Sequence, residues 1–109
     1  MTVRLTTRFW VDAYIARARA AHLPVYVAAH GDDTAGAVIV KCCPLDGTAR
    51  AFHRVLGPEG RRWDLLAAGA EAEVDAAIAR QRGFDPDLWV IEIEDRQGRH
   101  LLEQEGLAQ

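Results

Sequence analysis

The sequence predicts an α+β fold, a mainly antiparallel sheet of about four to six strands with two helices packed on one face. Three observations carry this. Two segments repeat apolar residues at three-and-four spacing, as helices do. Several short β-rich runs are separated by Gly, Pro and Asp turns. The order along the chain is α-β-β-β-(β)-α-β-(β), with no linker or composition break, so residues 1–109 read as one domain.

The first helix is expected from about Phe9 to His22. Thr6 or Thr7 offers the N-cap, Asp12 falls in the first turn, and Arg17, Arg19 and His22 gather where the helix dipole favours positive charge. Trp10, Tyr14, Ala18 and Ala21 share one stripe, flanked by Val11 and Ile15, and Pro24 stops the helix. Val25–Ala29 reads as a strand, Gly31-Asp32-Asp33-Thr34 as a turn, and Ala37–Cys42 as a second strand. Pro44-Leu45-Asp46-Gly47-Thr48 reads as a turn whose Asp-Gly is a strong hairpin signal, and it returns the chain through a third strand, Ala49–Leu56. Arg61–Leu66 follows as a fourth strand or irregular edge.

Glu71 and Glu73 open the second helix, Arg80 and Arg82 close it, and Gly83 is the expected residue just past its end. Leu88–Glu94 is the clearest strand: Trp89, Ile91 and Ile93 face one way, and Leu88, Val90, Glu92 and Glu94 the other. Arg99–Leu102 is expected to pair back, and residues 104–109 to form a loose tail. The pattern Val11-Asp12-Ala13-x-Ile15-Ala16-Arg17-x-Arg19 recurs as Val74-Asp75-Ala76-x-Ile78-Ala79-Arg80-x-Arg82. This is either compositional coincidence or the trace of two related helix–strand units.

The bulk numbers narrow the functional classes. The 109 residues are half hydrophobic and carry a net charge of −3, unlike the strongly basic balance of a general nucleic-acid coat. Met1–Arg8 lacks the long apolar run of a secretory signal, and no stretch has membrane-span length. Cys42 and Cys43 are the only cysteines and are adjacent, which suits a reducing, cytoplasmic setting rather than a disulfide framework. Lys41 is the single lysine among twelve arginines. No P-loop, Rossmann glycine pattern, nucleophile elbow or zincin helix is present, so no cofactor is expected.

Four constellations could carry chemistry. With a two-residue turn at Asp46-Gly47, Cys42 pairs with Ala51 and Val40 with His53, giving a Cys42–His53 diagonal for a thiol enzyme. Val38, Val40 and Val55 on the same face read instead as core. His30 with Asp32 and Asp33, or Cys42 and Cys43 with His53, could supply metal ligands, but the spacings match no metal motif and the two aspartates suit their turn. Glu92 and Glu94 share a strand face and could do acid–base work; a solvated face balanced by Arg96 and Arg99 accounts for them as well. The last constellation, Arg50, Phe52, Arg54, Arg61, Arg62 and Trp63, has the arginine/aromatic composition of a protein-binding hot spot, and also of a nucleic-acid grip.

The segments RFWVDAYIARA, GAVIVKCCPLDGTARAF, RRW and AEVDAAIARQRGFDPDLWVIEIEDRQGRHLL together resemble a small alphaproteobacterial family of unknown function, DUF1491. The resemblance covers nearly the whole chain and is most specific over FDPDLWVIEIEDRQGRHLL. It implies a bacterial, intracellular domain and brings no catalytic residue or cofactor. The leading expectation is therefore a non-catalytic module that binds a protein partner or itself through Arg50–Trp63. A nucleic-acid-binding domain using the same residues is the alternative, and a small thiol-dependent enzyme the third.

Overall fold

The computed structural model describes residues 5–108. Met1–Arg4, half of the stretch read for a secretory signal, and Gln109, the last residue of the expected tail, lie outside the described residues. Helix α1 spans Thr7–Ala20. Thr6, in extended backbone, accepts a hydrogen bond from the Phe9 N–H at 3.2 Å and caps the helix. The helix starts two residues earlier than expected, so Asp12 lies in its second turn, where it pairs with Arg8 four residues before it. The strands are β1 Val25–Ala29, β2 Val38–Cys43, β3 Thr48–Gly57, β4 Gly60–Ala70 and β5 Trp89–Glu94, with α2 at Glu71–Phe84.

One sheet holds all five strands in the order β1-β5-β2-β3-β4. Three pairings are antiparallel, while β2 and β5 run parallel. The α+β class, the strand number and the element order are as the sequence predicts. The helix placement is not. Trp10, Val11, Tyr14 and Ala18 of α1 pack with Val38, Val40, Cys42, Trp89, Ile91 and Ile93. Val74 and Ile78 of α2 pack with the intervening residues Ile39, Cys43, Val90, Ala49 and Ala51. Neighbours on a strand point to opposite faces, so α1 and α2 cover opposite faces of the sheet, not one. The reason is that β2 is buried along its whole length and β5 nearly so, and a strand apolar on both sides needs cover on both. The recurrent helical pattern consequently has no matching placement. A twofold normal to the sheet, relating β1 to its antiparallel neighbour β5, would carry both helices on one face.

Three boundaries also differ. Gly83 lies inside α2, which runs on to Phe84, and the Asp85 N–H closes the end on the Gln81 carbonyl. Arg99–Leu102 forms no strand. It crosses the α1 face as a loop held by Asp95, which accepts from the Arg99 N–H and guanidinium, and by the Tyr14 hydroxyl, which donates to the His100 carbonyl at 2.7 Å. The supposed tail is docked: Leu107 is 1% exposed in the α1-side core, and its carbonyl accepts the Trp63 indole N–H at 2.9 Å. An apolar residue spaced to reach the open end of a core explains why these last residues hold their place.

Candidate functional site

The turn before β3 decides which side chains can meet. Asp46 accepts from both the backbone N–H and the hydroxyl of Thr48, and Leu45 and Gly47 both take positive φ. The connection is thus four residues, Pro44 to Gly47, rather than two. Cys42 pairs with Arg50 and Ile39 with His53, one residue away from the expected register. A one-residue slip moves every side chain to the other face. Cys42 faces α1 and His53 faces away, so the Cys42–His53 diagonal does not exist. Cys42 and Cys43 are both buried free thiols, and burial pushes both up, Cys43 to about 11. Their geometry and protonation run against a thiol nucleophile.

The six arginine/aromatic residues divide into an inner and an outer group along the β3–β4 hairpin. The inner group is spent on the fold. Arg50 donates to the Gly98 carbonyl at 2.8 Å with its guanidinium 5.2 Å over the Phe52 ring, and Phe52 in turn contacts His100. Arg54 lies 5.4 Å from the Trp10 ring and 5.5 Å from that of Trp63, between two cation–π partners. Trp63 packs on Trp10 at 5.2 Å, and Trp10 stacks on Tyr14. The outer group, Arg61 and Arg62, is exposed near the hairpin tip, and Arg62 meets Asp64 across a loose 3.4 Å pair. Beside them Leu56 is 83% exposed and Leu65 55%. β4 is the outermost strand on its side, so its outward backbone groups have no neighbouring strand among the described residues.

The opposite face holds a cluster that motif reasoning passed over. Lys41 is buried on the α2 side of β2, and its ammonium lies 2.7 Å from Glu71, 2.7 Å from Asp75 and 2.8 Å from Glu92. Glu71 and Asp75 come from the first turns of α2, and Glu92 is the direct cross-strand partner of Lys41 on β5. Burial alone would depress the ammonium; the hydrogen bonds it donates to Asp75, Glu71 and Glu92 outweigh that and hold it well above the usual lysine range. Tyr26 donates to Glu92, which pushes its phenol up to about 12. Glu92 is therefore enclosed and paired, not solvent-facing, and Arg99 balances Asp95 rather than Glu92 or Glu94. The ligand atoms of Cys43, Glu71 and Glu92 lie within 4.8 Å of one another, yet the Lys41 ammonium already bonds both carboxylates and fills the cation position. The one signal for this cluster was a lone lysine inside the apolar run Val38-Ile39-Val40-Lys41-Cys42-Cys43.

The loop between β1 and β2 accounts for the remaining candidates. Asp32 accepts from the Thr34 and Ala35 N–H groups, as its turn position suggests, and His30 packs on Trp89 while bonding Asp33. That bond holds the Asp33 carboxyl below the usual range. A shallow cavity of about 430 Å³ lies between α1 and β1, walled by Val11, Ile15, Val27 and Trp89 and rimmed by Arg8, Asp12 and Arg19. Among the described residues, no helix is long and apolar enough to cross a membrane.

No curated protein matches the chain significantly. The crystal structure of a DUF1491 family protein from Caulobacter crescentus is similar over 93% of this chain and 97% of that one, with 42% identity and a TM-score of 0.85. The NMR structure of a DUF1491 family protein from the same organism gives 42% identity and a TM-score of 0.83, covering 94% and 96%. A solution structure from A. tumefaciens gives 32% identity and 0.72, covering 84% and 86%. The family sequence model described as protein of unknown function, DUF1491, matches residues 5–103. With that match running from the N-cap of α1 to the loop over the core, the chain belongs to the DUF1491 family.

Proposed function

We propose that this chain is a one-domain, cytoplasmic, non-catalytic binding module whose partner is a polypeptide strand added to the outer edge of the β3–β4 hairpin. One observation carries the reading. Leu56 at the end of β3 and Leu65 on β4, at 83% and 55% exposure, flank Arg61 and Arg62, and β4 has no outer neighbour among the described residues. Exposed leucines beside arginine and a half-buried tryptophan make an interaction surface, and an open edge supplies backbone groups for strand addition. Two buried thiols without a disulfide suit a reducing compartment.

Nucleic-acid binding through the same hairpin has less support. Arg50 and Arg54 are turned onto Phe52, Trp10 and Trp63, Arg62 meets an aspartate, and the chain is acidic overall. The test is affinity capture from the native host with wild-type chain and a Leu56→Ser/Leu65→Ser variant, identifying both protein and nucleic acid. Protein retained by the wild type and lost in the variant is the expected result. Retention unchanged by the variant, or a salt-sensitive nucleic acid in place of protein, would overturn the reading.

A further inference from the structure

We propose that the strand added to β4 is the β4 of a second copy of this chain, antiparallel, with the twofold axis at Trp63. This deepens the binding reading above and rests on it. Gly57 and Gly60 close the two-residue turn, and only a mutually hydrogen-bonded pair can do so at that loop length. The alternation along β4 then directs the backbone groups of Arg61, Trp63 and Leu65 outward, while Gly60, Arg62 and Asp64 bond inward to β3. Two β4 edges can meet only with outward residues opposite outward residues, so the twofold passes through a residue rather than between two.

Charge selects which residue. A twofold at Arg61, Arg62 or Asp64 sets that residue against its own copy, like charge on like. One at Leu65 puts Arg62 opposite the partner's Ala68 and leaves both charges without a cross-strand mate. The axis at Trp63 alone puts Arg62 opposite the partner's Asp64, twice by symmetry, at non-hydrogen-bonded positions where side chains approach most closely. The loose 3.4 Å pair within each chain then becomes part of a four-residue ring of alternating charge. On the other face the same register lays the stem of Arg61 against the partner's Leu65, covering a leucine that is 55% exposed in the monomer. The two five-stranded sheets would join into one of ten.

Sedimentation equilibrium on the purified full chain tests this with four proteins: wild type, Arg62→Asp, Asp64→Arg and the double swap. The expected result is a wild-type monomer–dimer equilibrium, weakened about tenfold or more by either single swap through like-charge opposition, and restored by the double swap. A double swap that dimerises no better than the singles would overturn the Trp63-centred register. A strictly monomeric wild type would overturn the dimer. If Leu56→Ser/Leu65→Ser still abolishes protein capture by that monomer, the dimer falls alone; if capture is indifferent to those leucines, the binding reading falls with it.

Discussion

The Lys41 cluster and the tip of the β3–β4 hairpin are both rich in charge, and they treat it in opposite ways. Around Lys41 one ammonium on β2 meets three carboxylates at 2.7–2.8 Å, two from α2 and one from β5. Each group there is matched inside the chain, which suits a site that fixes α2 onto the sheet. At the hairpin tip Arg61 and Arg62 are exposed and Asp64 is half-exposed beside two exposed leucines, and the Arg62–Asp64 pair is long. Density of charge is thus a poor guide to function. What separates the regions is whether the charges are matched by the chain itself or left to be matched from outside.

The largest expected effect lies in the closed region. Lys41→Met keeps the stem but leaves three carboxylates facing one another, and should cost about 2–4 kcal/mol in urea unfolding. The value falls toward the low end of buried-pair losses because Glu71 and Asp75 are about half exposed. A loss below about 0.5 kcal/mol would show that the cluster is not what holds α2. Next, Trp63→Ala removes the packing on Trp10 and the bond to the Leu107 carbonyl. Since Trp63 is half-buried, about 2–3 kcal/mol is expected, with faster proteolysis at residues 104–108.

A pH effect separates the regions further. The Arg99 guanidinium and N–H hold the Asp95 carboxyl down at about 2. Its contribution is in place above the unfolded value near 4 and is lost as the pH falls from there toward 2. Asp95→Asn should flatten that part of the stability profile. The buried thiols should resist alkylation at pH 8 in the native protein and react fully in denaturant, Cys43 included, since its thiol is pushed up to about 11. The smallest expected effect on stability is at the open tip, where Arg62→Asp should stay within about 0.5 kcal/mol of wild type while changing association.

Much of this architecture was legible in the residues. Caps, turns and alternation set the element order, and the alternation in Trp89–Glu94 assigned the two faces of β5 correctly. The helix placement was missed although its signal was present: Val38-Ile39-Val40 is apolar without alternation, the mark of a strand covered on both sides. The register was missed because Asp-Gly suggested a two-residue turn, whereas the Asp46 carboxylate binds Thr48 and lengthens the loop. That single residue moved His53 away from Cys42. The arginine/aromatic group reads from the sequence as one set on and after a single hairpin, and the sequence could not separate the residues stacked on Trp10 and His100 from those left outside. That distinction depends on contacts made from the far ends of the chain.

The central claim, an open β4 edge that a second copy fills, is tested most directly by hydrogen exchange at individual amides across protein concentration. The outward amides of Arg61, Trp63 and Leu65 should gain protection as concentration rises through the dimer range, while those of β1, the other edge, do not change. Protection at β4 that is independent of concentration, or that rises at β1 instead, would contradict it.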